Sequence, residues 1–400
     1  MPWTETHIMD ERVKFISEVL EGNYCMTELC RSYGISRKTG YKWLNRYLAE
    51  GPSALHDRSR APHSHPQAIS EKVKSSILSM KQKYPHWGPA KIRVKLQQQY
   101  SRWPKHPAVS TIGQFLKKQG LVCSRKRHRR ASPTEKPLSG GLAANEVWTA
   151  DFKGHFRTGE GSRCNPLTIT DHYSRYLLCC RHLDRMDYKQ VRMQFERIFR
   201  EYGLPMVIRT DNGTPFSGRG LCGLSRLSIW WIRLGIHPER IEPGHPEQNG
   251  RHERFHRTLK DQTAKPPART LCAQQKRFDS FVIEYNDDRP HEALNMRTPS
   301  FCYCASLRHF PSRLPQICYP EHMTVRRVYP HGDIRYNGRR LFVGESFSCE
   351  YIAVEDVSDE HSRLWYFDYE LGILDKRRWR IQASVSRAIL SGASPRKDGL

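Results

Sequence analysis

The chain has 400 residues, which is too long for one ordinary domain and predicts two to four. Its formal net charge of +25 and its pI near 9.7 predict a polyanionic partner, with nucleic acid favoured over an acidic membrane surface. No apolar run is long enough to cross a membrane, and the N-terminus has no apolar signal region, so a cytoplasmic protein is expected.

The twelve cysteines do not follow the spacing of a zinc site or of a disulfide framework. Cys179 and Cys180 are adjacent, and Cys302 and Cys304 lack a second pair at zinc-finger spacing. Reduced cysteines in a cytosolic protein are therefore expected.

Residues 1–52 have the pattern of a three-helix DNA-binding module. Val13, Ile16 and Leu20 recur at helical spacing, and Gly34 and Ser36 supply a turn and an N-cap before a third helix. This pattern predicts a helix-turn-helix domain, whose third helix enters the major groove. A small helical bundle with a solvated basic face is the alternative. The residues predicted to contact DNA are Arg37, Lys38, Thr39 and Lys42.

A linker rich in proline, serine, histidine and arginine leads to a second helical set in residues 66–123. Ser70 and Ser110 are placed to cap two of its helices, and Gly88-Pro89 opens the helix between them. We interpret this set as a second helix-turn-helix-like DNA-binding domain, because two linked modules can read a longer site than one.

Residues 124–143 form a basic linker. A solvated hinge is the simplest interpretation of such a charge block. Its position between two nucleic-acid modules favours contact with phosphates, which adds affinity without sequence information. The residues predicted to make these contacts are Arg125, Lys126, Arg127, Arg129 and Arg130.

From residue 144 onwards the pattern changes from helical to mixed. Three strand-like runs cover residues 147–156, 167–171 and 176–183, and a helix then precedes a strand at 206–210. Strands followed by a strand–helix alternation predict an α/β domain with helices on both faces of a mixed sheet.

The C-terminal part has the pattern of a small all-β domain. Short strand-like runs follow one another between residues 323 and 369, and Asn337-Gly338 is a hairpin signal. We predict a small β-barrel over residues 320–380 and a loose tail over 381–400. The predicted architecture is therefore multidomain, with all-α modules first, an α/β core in the centre and a β-barrel last.

Three carboxylates lie in separate elements of the α/β region. Asp151 and Asp211 come at predicted strand ends, and Glu253 lies in a helix. Alone, each is an ordinary turn, cap or ion-pair residue, and Asp171 is a fourth acid near a strand end. Oxygen ligands from three elements are what Mg²⁺ or Mn²⁺ requires, and two such ions can act on both oxygens of a phosphodiester exchange.

These acids also carry a resemblance to a known family. Asp151, the run Thr210-Asp211-Asn212-Gly213 and the run from Asn249 to Phe255, which contains Glu253, resemble, in that order, the three signatures of integrase-core DDE transposases. These are the bacterial insertion-sequence enzymes whose catalytic domain is similar to retroviral integrases. Residues 285–294, followed by Thr298-Pro299, resemble the closing segment of that domain.

The resemblance implies a transposase that binds the terminal repeats of its insertion sequence and performs metal-dependent DNA cleavage and strand transfer. The core, residues 144–306, would have a ribonuclease-H-like fold. Asp151, Asp211 and Glu253 would be its catalytic residues and would hold two Mg²⁺ or Mn²⁺ ions. The partners would be double-stranded DNA, at the element ends and the target, and further copies of the chain. By analogy, the C-terminal barrel would bind DNA.

Two glutamates compete for the third position of the acidic site. Spacing from Asp211 favours Glu247, whereas the local motif favours Glu253. We expect Glu253, because it lies well inside the helix, while an acid at the helix start is favoured by the helix dipole alone. Arg257 and Lys260 share a helix face with Glu253 and are predicted to contact DNA phosphates.

Three histidines accompany the acidic motifs, namely His245, His252 and His256. A histidine near a phosphodiester could shuttle protons. Histidine is also common in basic DNA-binding proteins, so we expect all three to be surface residues.

Two other functions compete with transposition. A DNA-binding transcriptional regulator would use the helical modules and carry an inactive core, and a metal nuclease would cut without joining. The presence of all three acids, Asp151, Asp211 and Glu253, argues against the regulator. The two predicted helix-turn-helix domains argue against a general nuclease.

Overall fold

The computed structural model describes residues 7–59, 69–122, 138, 140–242, 248 and 250–384. The chain forms two compact units, Met1–Ser70 and Glu71–Leu400. Among the described residues, no helix is long and apolar enough to cross a membrane. Residues 125–130, predicted to bind phosphates, lie outside the described ranges, as do residues 385–400 of the predicted tail.

The first unit contains three helices. They are α1 (Ile8–Glu21), α2 (Met26–Ser32) and α3 (Arg37–Glu50), followed by a 3-10 turn at Pro52–Leu55. Ser36 caps α3 as predicted, because its Oγ accepts the Thr39 N–H at 3.2 Å. The hydrophobic core lies around Phe15 and Ile16, whereas Val13 and Leu20, which the pattern placed on the same face, are about half exposed. The predicted three helices with a turn before the third are therefore present.

The second unit begins with three more helices, α4 (Glu71–Lys83), α5 (Pro89–Gln99) and α6 (Val109–Lys118). They enclose a small core that includes Ile77, Trp87 and Ile92. Gly88 and Pro89 open α5 as predicted. The prediction that Ser110 caps the third helix is wrong, because α6 begins at Val109 and Ala108 occupies the N-cap position.

A five-stranded mixed sheet forms the centre of the second unit. Its strand order is β5-β4-β1-β6-β7, with β1 antiparallel to β4 and parallel to β6. A two-stranded ladder of β2 and β3 lies beside it. The strands are β1 (Val147–Phe152), β2 (Phe156–Arg157), β3 (Arg163–Cys164), β4 (Pro166–Asp171), β5 (Leu177–His182), β6 (Val207–Thr210) and β7 (His237–Arg240).

Helices cover both faces of this sheet, as the sequence predicted. Cys179 packs on one face with Phe195, and the adjacent Cys180 packs on the other with Phe255, because successive strand residues point to opposite sides. The helices are α7 (Tyr188–Tyr202), α8 (Arg226–Arg233), α9 (Gly250–Thr263), α10 (Leu271–Ile283) and α11 (Pro299–Cys302). A π-helical turn, Glu284–Asp288, continues α10, and 3-10 turns lie at Leu221–Gly223 and Glu292–Leu294.

The π-helical turn holds α4 and α5 against the core. The Trp87 indole donates to Glu284 Oε1 at 2.9 Å, and the Tyr84 hydroxyl and the Lys95 ammonium donate to the two oxygens of Asp288 at 2.9 and 2.6 Å. The second helical set is therefore attached to the α/β core through the segment that resembles the end of an integrase domain.

The C-terminal strands form an open sheet. Five antiparallel strands have the order β14-β13-β12-β11-β8, and β9 and β10 form a separate hairpin. Among the described strands, β14 and β8 remain at opposite edges, so the predicted closed barrel is not formed. The strands are β8 (Thr324–Arg327), β9 (Asp333–Tyr336), β10 (Arg339–Phe342), β11 (Tyr351–Asp356), β12 (His361–Tyr366), β13 (Tyr369–Asp375) and β14 (Arg380–Ala383).

Two local predictions in this region have different outcomes. Asn337 and Gly338 have positive φ angles of 44° and 75° and join β9 to β10, so the predicted hairpin is confirmed. The predicted start of the loose tail at residue 381 is wrong, because Ile381 lies in β14 opposite Leu374 and packs against the sheet's core.

Helix α8 lies between two hydrophobic cores. Trp230 and Trp231 pack into the core of the central sheet, whereas Ile229 and Ile232 pack with Phe347 into the core of the C-terminal sheet. The apolar run that contains α8 is therefore buried on two sides, which explains why so short a helix is so hydrophobic. The two sheets belong to one packed unit.

Candidate active site

The first two acids lie side by side at the end of adjacent parallel strands. Ala150 of β1 pairs with Thr210 of β6, and Asp151 and Asp211 each follow directly. Because parallel strands end at the same edge of a sheet, this register brings the two carboxylates together. Asp151 is still within β1, while Asp211 begins the turn that leaves β6.

The residues that follow Asp211 fix the turn. The Gly213 N–H donates to Asp211 Oδ1 at 3.1 Å, and the Asn212 amide donates to the carbonyl of Ile241 at 2.8 Å. A Cβ at position 213 would lie 3.0 Å from Asp211 Oδ2, so a side chain there would crowd the carboxylate. The Asp-Asn-Gly run therefore orients Asp211 as well as turning the chain.

Helix α9 presents two contrasting faces near these strands. Its inner face is buried and contains His252, Phe255, His256, Leu259 and Thr263. Its outer face carries Glu253, with Arg257 and Lys260 four and seven residues later, and all three side chains are exposed. The predicted grouping of these three residues on one face is therefore present.

The Asp151 carboxyl is largely buried and has two other acids, Asp211 and Glu253, near it. Burial, followed by the charges of Asp211 and Glu253, raises the pKa of this carboxyl to about 7, against lowering contributions from the Phe152 backbone and Lys153. Both acids are therefore close enough to act electrostatically on Asp151. A cation among the three carboxylates would remove this repulsion, so the donor set fits a hard divalent ion.

Two histidines lie behind Asp151, contrary to the prediction that they are surface residues. His252 and His256 are only 2% and 6% exposed. Burial lowers the pKa of His252 to about 3 and that of His256 far below its ordinary value, so both rings are neutral. Their spacing of four residues on one face with Phe255 was the sequence signal that could have revealed this burial. His245 lies outside the described residues.

A threonine on the neighbouring strand connects these histidines to Asp151. Thr168 of β4 is paired with Asp151, and its hydroxyl lies 3.0 Å from the Asp151 carbonyl oxygen. The same hydroxyl lies 2.7 Å from Nε2 of His252 and 2.7 Å from Nε2 of His256. The sequence contained no motif that indicated this contact, because it depends on where α9 crosses the sheet.

Asp171, the competing acid, has a structural role. Its Oδ1 accepts the Asn145 N–H at 2.8 Å, and its Oδ2 accepts the N–H and hydroxyl of Ser174 at 2.7 and 2.6 Å. These bonds hold the turn between β4 and β5. The Asp171 carboxylate is buried and does not belong to the group formed by Asp151, Asp211 and Glu253.

Positive side chains border the acidic group. The pKa of Lys153 is lowered by burial and then by the charge of Lys260, so these two ammonium groups are close to each other and to Asp151. A phosphate has negative oxygens that such a pair can contact.

Four of the other residues predicted to bind DNA lie in α3. Arg37, Lys38 and Lys42 are exposed there, and the Lys42 ammonium lies over the Trp43 ring at 4.7 Å. Thr39 differs, because its hydroxyl and N–H both bond to Ser36 in the helix cap. Glu247 and Asn249 lie outside the described residues.

Four protein-family models match parts of the chain. A model described as an integrase core domain matches residues 141–246, and another with the same description matches 234–299. A homeodomain-like domain model matches residues 39–116, and a helix-turn-helix domain model matches 11–63.

Two relatives come from insertion elements. The chain is 28% identical over 197 residues to the 31.7 kDa protein of insertion element IS407 from Burkholderia multivorans, which covers 49% of this chain and 69% of the relative. It is 27% identical over 196 residues to the 39.2 kDa protein of insertion element IS476 from Xanthomonas euvesicatoria. That match covers 47% of this chain and about half, 52%, of the relative.

Similar solved structures include a simian T-cell lymphotropic virus intasome in complex with the PP2A regulatory subunit B56 gamma. It is 16% identical, with a TM-score of 0.36 over 74% of this chain and 97% of that chain. The HTLV-2 integrase catalytic core domain in complex with magnesium is 14% identical, with a TM-score of 0.33, and the match covers 41% of this chain and 99% of that chain. These scores are too low to support a conclusion. The chain therefore contains regions similar to an integrase core and to helix-turn-helix domains, and it is similar to two proteins of bacterial insertion elements.

Proposed function

We propose that this protein is a transposase that binds the terminal repeats of its insertion sequence and cleaves and joins DNA in a metal-dependent reaction. The observation that carries the proposal is the strand register that brings Asp151 and Asp211 together, at a place where burial and the charges of Asp211 and Glu253 raise the pKa of Asp151. Three acids from two adjacent strands and one helix repel one another and destabilise the fold unless a cation binds among them. The three positions are also those that resemble the signatures of DDE transposases.

In this proposal Asp151, Asp211 and Glu253 hold two divalent ions, Mg²⁺ or Mn²⁺. Ions held there would activate a water or a 3′-hydroxyl and neutralise the leaving oxygen of an in-line displacement. Asp151 is fixed by its strand pairing, and Asp211 is oriented by the Gly213 N–H. Lys153 and Lys260 are positioned to contact phosphates beside the acids. The same site would first free a 3′ end of the element and then join that end to target DNA.

The proposed DNA interface begins with α3, whose exposed Arg37, Lys38 and Lys42 would enter the major groove. The second helical set, the basic linker and the C-terminal sheet would add contacts to double-stranded DNA. Arg257 and Lys260 would bind phosphates near the acids. Joining two element ends to one target requires that more than one copy of the chain assembles on DNA.

Arg37→Ala and Lys42→Ala are expected to weaken the preference for the terminal repeat. A contact to a base edge is worth about 1–3 kcal/mol of discrimination, so the affinity ratio between repeat and random DNA should fall by about that amount. Competition binding at fixed salt measures the ratio, with the exposed Lys14→Ala on α1 as a matched control. An equal loss on every sequence would reassign these residues to phosphate contacts.

Asp151→Asn is expected to separate binding from catalysis. The variant should lose cleavage and keep its specific affinity, because the proposed recognition residues precede residue 125. In metal-free buffer at pH 8 the variant should also be more stable, because a buried charge beside Asp211 and Glu253 is removed. Each kcal/mol added to the free energy of unfolding should raise the melting temperature by about 2–4 °C.

The pH dependence of that stabilisation follows from the raised pKa of Asp151. A folded pKa of about 7, above the ordinary 3.8, means that the folded chain loses stability as pH rises through this window. The advantage of Asp151→Asn should therefore be complete above pH 7 and vanish as the pH falls towards 3.8. Added Mg²⁺ should raise the melting temperature of the unsubstituted protein and not that of the variant. A variant that melts lower than the unsubstituted protein without metal would contradict the electrostatic account.

A further inference from the structure

We propose that His256 Nδ1 is a ligand of the metal ion held by Asp151, so that this centre has a nitrogen donor and favours Mn²⁺ over Mg²⁺. The inference rests on the proposed function, since it assumes an ion at Asp151. It concerns a buried histidine that the resemblance does not include among the metal ligands.

The hydroxyl of Thr168 determines which ring nitrogen of His256 carries a hydrogen. This hydroxyl has three close partners, the Asp151 carbonyl oxygen and the Nε2 atoms of His252 and His256. A carbonyl oxygen can only accept, so we place the single hydroxyl hydrogen on the bond to Asp151. The hydroxyl oxygen then accepts from both Nε2 atoms. Each neutral ring is therefore protonated at Nε2 and has its lone pair at Nδ1.

The two Nδ1 lone pairs have different surroundings. Nδ1 of His252 lies 3.4 Å from the hydroxyl of Thr170, which can donate to it. Nδ1 of His256 lies 3.8 Å from Asp151 Oδ2. A lone pair and a carboxylate oxygen repel each other across that gap. A cation bound to both atoms would turn the repulsion into attraction, and this is the contact that singles out His256.

The separation of these two atoms suits a shared ion after a small shift. With metal bonds of about 2.1 Å, neighbouring ligands lie about 3.0–3.4 Å apart. The Nδ1–Oδ2 distance of 3.8 Å would therefore close by less than about 1 Å. His252, His256 and Asp151 each offer a ligand atom within 4.8 Å of the others, so the group is already compact.

The nitrogen donor sets the expected metal preference. Carboxylate oxygens suit Mg²⁺ and Mn²⁺ alike, whereas imidazole suits transition metals and is a poor partner for Mg²⁺. The bond from Nε2 to Thr168 would orient the ring towards the ion, as second partners of metal-bound histidines do. Replacing His256 should therefore weaken Mn²⁺ binding more than Mg²⁺ binding.

Electron spin echo spectroscopy of Mn²⁺ bound to the full-length protein tests this directly, because a coordinated imidazole nitrogen modulates the signal. We expect ¹⁴N modulation in the unsubstituted protein and ¹⁵N modulation after labelling with ¹⁵N-histidine. The labelled protein needs no substitution, so this result does not depend on whether a variant folds. His256→Gln should lose the modulation and bind Mn²⁺ about tenfold more weakly. His252→Gln, one helical turn away, should keep the modulation.

Bound Mn²⁺ without histidine modulation, or modulation that survives His256→Gln, would overturn the inference and leave the proposed function standing. Asp151→Asn tests the proposed metal centre itself, since this substitution should abolish Mn²⁺ binding at the site. If Mn²⁺ binding is absent or unaffected by Asp151→Asn, both the inference and the proposed metal centre fail.

Discussion

Glu253→Gln is expected to reduce metal-dependent cleavage and joining by about a thousandfold or more, the equivalent of roughly 4 kcal/mol of transition-state stabilisation. Glu253 is the helical acid whose charge reaches Asp151. The substitution keeps the size of the side chain and removes the charge that a metal ion needs. Because Glu253 is exposed, the variant should fold normally. Single-turnover cleavage of a labelled element end measures the loss.

Glu247→Gln is the matched control for this prediction. Glu247 has the spacing from Asp211 that favours it as the alternative ligand, and it lies outside the described residues. We expect this variant to lose only a few-fold in rate. The reverse pattern, with Glu247→Gln inactive and Glu253→Gln nearly normal, would move the third ligand to Glu247.

The second large effect concerns the C-terminal sheet, whose removal should unfold the α/β core. Deleting residues 320–400 would expose Ile229 and Ile232 of α8, which are buried together with residues of that sheet. Leu221 would also lose the bond that its N–H donates to the Val343 carbonyl, at 3.0 Å. Burial of each such aliphatic side chain is worth about 1.5–3 kcal/mol, and an ordinary domain is stable by only about 5–15 kcal/mol. The truncated protein should therefore lack a cooperative unfolding transition.

Two phenylalanines allow the same idea to be tested without truncation. Phe347 is fully buried in the shared core, and Phe342 is 56% exposed on β10. Phe347→Ala should lower the free energy of unfolding by about 3–5 kcal/mol, and Phe342→Ala should have a small effect. Equal stability losses, or a truncated protein as stable as the complete chain, would show that the C-terminal sheet is independent.

The sequence predicted those features that depend on local chemistry. Ser36 caps α3 because serine can accept an N–H at a helix start. Asn337 and Gly338 form a hairpin turn because both tolerate positive φ. The strand predicted over residues 176–183 is present as β5, Leu177–His182.

The features that the sequence did not predict depend on contacts between distant segments. Histidine is found both at surfaces and in cores, so its type alone could not show that α9 buries His252 and His256 against Thr168. The attachment of Trp87 to Glu284 joins residues 197 positions apart. The strand pattern of the C-terminal region likewise predicted strands without determining whether the sheet would close.

The most direct test of the central claim is a strand-transfer assay with the complete protein. The substrate is a labelled duplex that ends in the inverted repeat flanking the gene, the target is a plasmid, and Mg²⁺ or Mn²⁺ is added. We predict labelled ends joined covalently to the plasmid, with no product from the Asp151→Asn, Asp211→Asn or Glu253→Gln proteins. Specific binding of the repeat without cleavage would instead indicate a regulator, and cleavage without joining a nuclease; either result would contradict the proposed transposase.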